Sequence, residues 1–170
     1  MTETENPFLH PASVLAFAVF RVHGSVIGFG DTLMRPLGLS SARWQVLGAI
    51  EDAQGALPVA GLARNMGLVR QSVQRVVDDL MEDGSVTTAN NPHHRRARLV
   101  QLTSRGRTLL DEANSRWMVF AEALAAEFSG DALTRTSALL IAVRDRLDAH
   151  RLAGFEDDPH PEGEDHGSIL

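Results

Sequence analysis

Residues 57–102 constrain the fold of this chain more than any other segment. They contain two helical patterns, one beginning near Pro58 and one running from about Val69 to Gly84, with Gly67 between them. Pro58 suits the first position of a helix, because its missing N–H would have no intrahelical partner there. Gly67 permits a tight reversal of the backbone that a residue with a Cβ would resist. The segment therefore predicts a helix-turn-helix unit.

The second helical pattern separates apolar from polar side chains. Its apolar positions recur at helical spacing and are expected to be buried; they are Val73, Val76, Val77 and Leu80. The polar side chains of its N-terminal half suit the reading of a DNA groove, because arginine pairs with guanine, glutamine with adenine, and serine holds phosphate. An ordinary amphipathic helix with a solvated polar face is the alternative. The predicted reading residues are Arg70, Gln71, Ser72, Gln74 and Arg75.

Two β-prone runs, residues 85–89 and 97–102, follow this helix. A turn-forming segment, residues 90–96, joins them and places arginine at its tip. Arginine at such a tip suits phosphate contact and insertion into a minor groove. A charged loop is often only solvated, but its position directly after a helix-turn-helix pattern predicts a DNA-binding wing. The predicted wing contacts are His93, His94, Arg95, Arg96 and Arg98.

Four linked motifs occur in order between residues 39 and 113: LSSARWQVL, LARNMGLVRQSVQRVVDDLMEDG, RRARLVQLT and TSRGRTLLDEA. In these motifs the chain resembles the MarR family of bacterial transcription regulators. The resemblance implies a winged helix-turn-helix flanked by dimerising helices, a role mainly in repression, and control by small aromatic or phenolic ligands. The wing departs from the family pattern at two positions. His94 stands where an acidic residue is usual, and Thr88 stands where a basic residue is frequent.

The long segments on either side of the winged unit have helical apolar patterns. Residues 11–35 predict a first helix that is apolar on most of its circumference, but Arg21, His23 and three glycines interrupt the run, so we expect no membrane span. Ser40 is expected to cap a helix to about residue 51, and Thr103 a long helix to about residue 128. A last helix follows Ser129 and runs to about residue 153. These apolar stripes predict a homodimer, with a purely intramolecular core as the alternative.

The predicted fold class is mainly α with a small β-hairpin wing. Residues 38–102 are expected to form the winged helix-turn-helix domain, and residues 11–37 and 103–153 a helical dimerisation region. Residues 1–10 are predicted to be a disordered N-terminus and residues 154–170 an acidic disordered tail.

Charge is distributed unevenly along the chain. The net charge is −6, yet residues 40–107 hold nine arginines against six carboxylates, a net of +3, whereas residues 152–170 hold six carboxylates and no arginine. The acidic total is therefore no argument against a basic DNA-binding face. The absence of cysteine excludes disulfides, thiolate metal sites and cysteine-based redox sensing.

These features together predict a cytoplasmic, sequence-specific transcription regulator, expected to repress as the resembled family mainly does, with double-stranded DNA and a second copy of itself as partners. No cofactor, metal site or enzymatic activity is expected, since no glycine-rich phosphate loop or HExxH motif is present. A winged-helix protein that senses a metal or a partner and binds DNA weakly, if at all, is the alternative, which the adjacent histidines 93 and 94 keep open. By the resemblance, an effector would bind between the dimerisation region and the winged domain, and the candidate lining residues are Phe17, Phe20, Arg21, His23, Trp44 and Trp117.

Overall fold

The structure is a computed structural model that describes residues 6–92, 94 and 96–156. It divides after Phe120 into two compact units. A single 3-10 turn, Pro7–Leu9, precedes the first helix, and a second one, Arg35–Leu37, follows it. The remaining elements are, in chain order, α1 (Pro11–Met34), α2 (Ser41–Asp52), β1 (Leu57–Pro58), α3 (Val59–Met66), α4 (Arg70–Glu82), β2 (Val86–Ala89), β3 (Leu99–Leu102), α5 (Ser104–Phe128) and α6 (Gly130–Glu156).

The small sheet confirms the predicted hairpin and adds a strand. Strands β2 and β3 pair antiparallel, and β1 pairs with the other edge of β3, with Leu57 opposite Val100. Pro58 therefore lies in an edge strand and in the N-cap position of α3, so its prediction as the first helical residue was wrong. An edge strand tolerates proline, because the missing N–H removes no bond from the sheet interior. A strand of two residues has no periodicity that the sequence could reveal.

The hydrophobic core of the first unit lies where α2, α3, α4, β3 and α5 meet. On α4, Val73, Val77 and Leu80 are buried as predicted, whereas Val76 is only partly buried. Because these residues fix the apolar face of α4, its polar face is directed away from the core. The other large core residues are Met34, Val46, Leu47, Ile50, Leu62, Val100 and Leu110.

Helix α1 leaves most of its apolar surface uncovered within one chain. Only Gly30 and Met34 of this helix are buried, and Phe20 is 70% exposed. By length and composition alone, Pro11–Leu37 could cross a membrane. Core helices of soluble proteins, which are mostly buried, and signal sequences near an N-terminus pass the same test. An exposed apolar surface of this extent is typical of a site of protein–protein or membrane interaction.

The second unit contains the end of α5 and helix α6. Ser129 adopts a positive φ of 59° between the two helices, and its hydroxyl accepts a hydrogen bond from the N–H of Ala132. None of the α6 side chains that the structure describes is buried, and Leu147 is 65% exposed. Like α1, α6 therefore presents apolar side chains without a cover.

Helical structure extends further than predicted near both ends of the described residues. The 3-10 turn Pro7–Leu9 falls in the segment predicted to be disordered, and α6 continues three residues past the predicted end at residue 153. The side chain of Asn6 accepts a hydrogen bond from Phe8 N–H, and the ring of Phe8 stacks on Phe17 at 5.9 Å. These local contacts stabilise a turn within the range, residues 1–10, that was predicted as a disordered N-terminus. The rest of the two predicted disordered segments, residues 1–5 and 157–170, lies outside the described residues.

Candidate nucleic-acid interface

The turn between α3 and α4 sets the direction of the predicted recognition helix. Gly67 ends α3 with a φ of 65°, and its N–H donates to carbonyl oxygens of the last turn, including that of Ala63. Helix α4 then begins at Arg70 after an extended Val69, and no side chain caps this end. The N-terminal turn of α4 therefore lies open, in the arrangement that favours approach of an anion.

The predicted reading residues lie on the outer face of α4. Arg70, Gln71, Ser72 and Arg75 are exposed, as the sequence pattern required. Gln74 is half-buried, and its Nε2 donates to Oδ1 of Asp78 at 2.8 Å. Four of the five side chains are thus free to meet a partner, while Gln74 is held along its own helix.

The wing places further polar side chains, two arginines among them, beside α4. Arg96 and His94 are exposed, and the backbone N–H of His94 donates to the side chain of Asn91. Nη2 of Arg98 donates to the carbonyl oxygen of Thr88 on the neighbouring strand, at 3.1 Å. The backbone of Thr88 thus orients one wing arginine across the hairpin. The other two predicted wing contacts, His93 and Arg95, lie outside the described residues.

A cavity of about 310 Å³ separates α4 from the wing. Arg70 lines it from the helix, and Arg96 and Arg98 line it from the wing. Asp78 also contributes to the lining. The structure therefore brings cations from two sequence-distant elements to one surface, an arrangement suited to a polyanion.

Two of the predicted effector residues belong to an aromatic cluster in the first unit. The rings of Trp44 and Trp117 lie 5.3 Å apart, and Phe29 and Phe120 complete the cluster with their rings 4.3 Å apart. Nε1 of Trp44 donates to Oδ1 of Asn114 at 3.0 Å. The residues of this group that sequence reasoning did not include are Phe29, Asn114 and Phe120. Of these, Phe120 could have been indicated, because it lies three residues after Trp117 on the same face of one helix.

A cavity of about 460 Å³ adjoins this cluster. Trp44 and Asn114 line one part of it, and Met66, Leu110 and Glu51 line others. The lining mixes apolar side chains with an equal share of polar and charged ones, which also include Gln45, Asp52 and Asn65.

The other four predicted effector residues lie on α1. Phe17 and Phe20 contact each other edge to face at 6.4 Å, and Nε of Arg21 donates to the carbonyl oxygen of Phe17. His23 is exposed on the same helix. The six predicted residues thus fall into an α1 group and a Trp44–Trp117 group.

Comparison of the sequence with known proteins identifies its family. A sequence model described as the MarR family matches residues 37–97. An uncharacterised protein of Mycobacterium tuberculosis is 36% identical over 118 residues, which cover 69% of this chain and 81% of the relative. The transcriptional activatory protein BadR of Rhodopseudomonas palustris is 25% identical over 139 residues, which cover 80% of this chain and 79% of BadR.

Solved structures show the same fold. A cysteine-to-serine mutant of Escherichia coli MarR complexed with operator DNA superimposes with a TM-score of 0.69 at 21% identity, covering 81% of this chain and 98% of that one. CouR from Rhodococcus jostii RHA1 bound to p-coumaroyl-CoA gives 0.62 at 29% identity, covering 79% and 90%. These similarities agree with the exposed polar face of α4 and the arginine-bearing wing, since all of them indicate one family. The chain belongs to the MarR family of winged helix-turn-helix DNA-binding transcription regulators.

Proposed function

We propose that this protein is a cytoplasmic homodimeric repressor that binds an inverted-repeat operator and is released by a small aromatic ligand. The observation that carries the proposal is the pairing of an exposed polar face on α4 with arginines on the adjacent wing. Arg70 and Arg75 are suited to groove contacts, and Arg96 is suited to phosphate contact. The Escherichia coli MarR structure with operator DNA has the same fold and supports this use of the surface.

A second copy of the chain is the proposed cover for the apolar helices. Phe20 and Val22 on α1 are 70% and 60% exposed, and Leu147 on α6 is 65% exposed. Soluble monomers rarely leave so many large apolar side chains in water. A two-fold dimer would present two α4 helices to half-sites about one turn of DNA apart, so the operator should be an inverted repeat.

The direct test is binding to DNA upstream of the protein's own gene. We expect binding at near-physiological salt that is at least about 1000-fold tighter than to a scrambled duplex of the same length, and that weakens between about 50 and 200 mM salt. Equal, weak binding to both duplexes would contradict a regulator acting at this site. A reporter fused to the same promoter tests the direction of regulation: repression predicts a rise in expression on deletion of the protein, whereas activation, which the name of BadR describes, predicts a fall.

Single substitutions should separate base reading from phosphate binding. Arg75→Ala and Gln71→Ala are each expected to weaken operator binding by about 10- to 100-fold and to change scrambled-duplex binding less, because they remove base contacts. Arg96→Ala is expected to weaken binding to every duplex and to lower the slope of log Kd against log salt by about 0.9 for each phosphate that the variant no longer binds. Titrations of both duplexes at several salt concentrations measure these quantities. Equal losses of affinity on both duplexes for all three variants would refute the division of roles.

Intrinsic fluorescence should report ligand binding at the aromatic cluster. The chain has two tryptophans and no tyrosine, and both tryptophans lie in the cluster. We expect p-coumaroyl-CoA, the ligand named for CouR, to quench this fluorescence saturably and to weaken operator binding. Acetyl-CoA, which lacks the aromatic group, is the control. Equal quenching by both compounds would contradict recognition of an aromatic ring.

A further inference from the structure

An ion pair joins the start of α2 to the end of the recognition helix. The guanidinium of Arg43, in the first turn of α2, pairs with the carboxylate of Asp83, the C-cap residue of α4. The two side chains are 22% and 28% exposed. Nη1 of Arg43 also donates to Gly38 O at 3.0 Å, and Oδ1 of Asp83 accepts from Ser85 N–H at 2.9 Å. The carboxylate of Asp83 thus connects the end of α4 with Ser85, the residue before β2, and with α2.

The position of Asp83 is electrostatically unfavourable without Arg43. A carboxylate at the C-terminus of a helix is opposed by the helix dipole. The last two turns of α4 and its cap hold four acidic residues and no basic one: Asp78, Asp79, Glu82 and Asp83. The cation that compensates Asp83 comes from another helix. Because the pair is largely covered, salt screens it less than it screens an exposed pair.

The pair lies at the opposite end of α4 from the residues that would read DNA. The helix has 13 residues and is therefore about 20 Å long. The N-terminal end of α4 has no side-chain cap, whereas the Arg43–Asp83 ion pair lies at its C-terminal end. We call this ion pair the tether of α4. A tilt of about 5° at this end would move Arg70 by roughly 2 Å over that length. Such a displacement exceeds the range of distances that a hydrogen bond to a base tolerates.

We propose that Arg43 and Asp83 are positioning residues for DNA reading: their ion pair fixes the tilt of α4 on α2 and so places Arg70, Gln71 and Arg75 for base contact. The inference rests on the proposed function, since it concerns how the same surface reads an operator. Neither residue is a DNA contact in this arrangement. The guanidinium of Arg43 is engaged by Asp83 and by a backbone carbonyl, and its Nε is buried.

The test compares Arg43→Ala with Arg107→Ala. Nη1 of Arg107 on α5 donates to both carboxylate oxygens of Glu51 on α2, and the side chain of Arg107 is 53% exposed. We expect Arg43→Ala to weaken operator binding about 10-fold with an unchanged salt slope and unchanged scrambled-duplex binding. Arg107→Ala should change operator binding less than about twofold. All titrations are made where circular dichroism shows that each variant is fully folded.

Asp83→Asn separates positioning from long-range electrostatics. The amide oxygen can still accept from Ser85 N–H, but the charge and the ion pair are lost. Removing a negative charge near DNA would tighten binding if only the overall field mattered. The positioning role predicts the opposite: a loss of about 10-fold on the operator, and no additional loss when Arg43→Ala and Asp83→Asn are combined. Operator binding by Asp83→Asn that equals or exceeds that of the unaltered protein would overturn the inference.

Amide hydrogen exchange without DNA distinguishes this inference from the proposed function. In Arg43→Ala and in Asp83→Asn the last turn of α4 should exchange faster than in Arg107→Ala. If the unaltered protein binds the operator no better than the scrambled duplex, the proposed function fails, and the role of the ion pair in DNA reading fails with it. The hydrogen-exchange rates would still show whether the ion pair holds the end of α4 in place. Equal exchange in all three variants would overturn the tether itself.

Discussion

Replacing Gly106 with alanine is expected to destabilise the protein by about 3 kcal/mol, the upper end of the usual cost of overpacking. Gly106 is buried in the first turn of α5. A Cβ at this position would overlap the carbonyl oxygen of Ser85 and lie 2.9 Å from its carbonyl carbon. These are backbone atoms of a fully buried residue, so no change of side-chain rotamer can relieve the overlap.

The surrounding hydrogen bonds oppose a shift of α5 away from Ser85. The hydroxyl of Thr103 lies 2.8 Å from Gly84 O and accepts from Gly106 N–H, while Thr103 N–H donates to Ser85 O. The start of α5 is therefore bound to the segment that joins α4 to β2. Moving it far enough to admit a methyl group would break several of these bonds together.

Thermal unfolding measures the effect of Gly106→Ala. For a chain of this size, a loss of about 3 kcal/mol lowers Tm by about 10 °C. Gly48→Ala is the matched control, because Gly48 also lies within a helix but no atom lies within 4 Å of its added Cβ. That variant should be as stable as the unaltered protein or up to about 1 kcal/mol more stable, through its better helix propensity. Similar Tm values for the two variants would contradict the close approach of α5 to Ser85.

Local patterns allowed most of the fold to be predicted from the sequence. The apolar spacing of Val73, Val77 and Leu80 defines the buried face of α4, and Ser40 caps α2 as expected. The contacts that join elements could not be predicted in this way. The pairing of β1 with β3 and the Arg43–Asp83 pair connect residues about 40 positions apart, and neither leaves a periodic signal in the sequence.

The candidate interface was predictable to a similar degree. The exposed face of α4 follows directly from burial of the opposite face, so Arg70 and Arg75 lie where the pattern placed them. The bond between Gln74 and Asp78 could have been anticipated, since residues four apart on a helix are neighbours. In contrast, the bond of Arg98 to Thr88 depends on the register of β2 against β3, which the loop sequence does not specify.

The distribution of charge along α4 is consistent with the orientation on DNA that we propose. Its N-terminal half carries Arg70 and Arg75, whereas its C-terminal half carries three carboxylates and its C-cap residue, Asp83, adds a fourth. A phosphate backbone attracts the first half and repels the second. The distribution therefore favours entry of the N-terminal end into a groove, while the acidic end is held by α2. In the proposed mode of binding, attraction of the N-terminal half and repulsion of the acidic end would therefore favour the same orientation of α4.

Disruption of the apolar surface of α6 should abolish the dimer and most of the operator binding. Leu140 and Leu147 are one heptad apart and are 37% and 65% exposed in the single chain. If a second copy covers them, the double substitution Leu140→Asp and Leu147→Asp would bury two unpaired carboxylates at the interface, which is strongly unfavourable. A monomer reaches one half-site at a time. Operator affinity should then fall by about 100-fold or more, because the second half-site no longer binds intramolecularly.

Sedimentation equilibrium and operator titration on the same samples test this requirement for two copies. Arg135→Ala is the control on α6, since it removes only an exposed pair with Asp131 and should leave both dimer and affinity unchanged. A monomeric double variant that keeps full operator affinity would show that one chain suffices for recognition, against the inverted-repeat proposal. A double variant that remains dimeric would show that this stripe of α6 lies outside the interface. The uncovered apolar residues of α1, with Phe20 foremost, would then be the surface that a second copy covers.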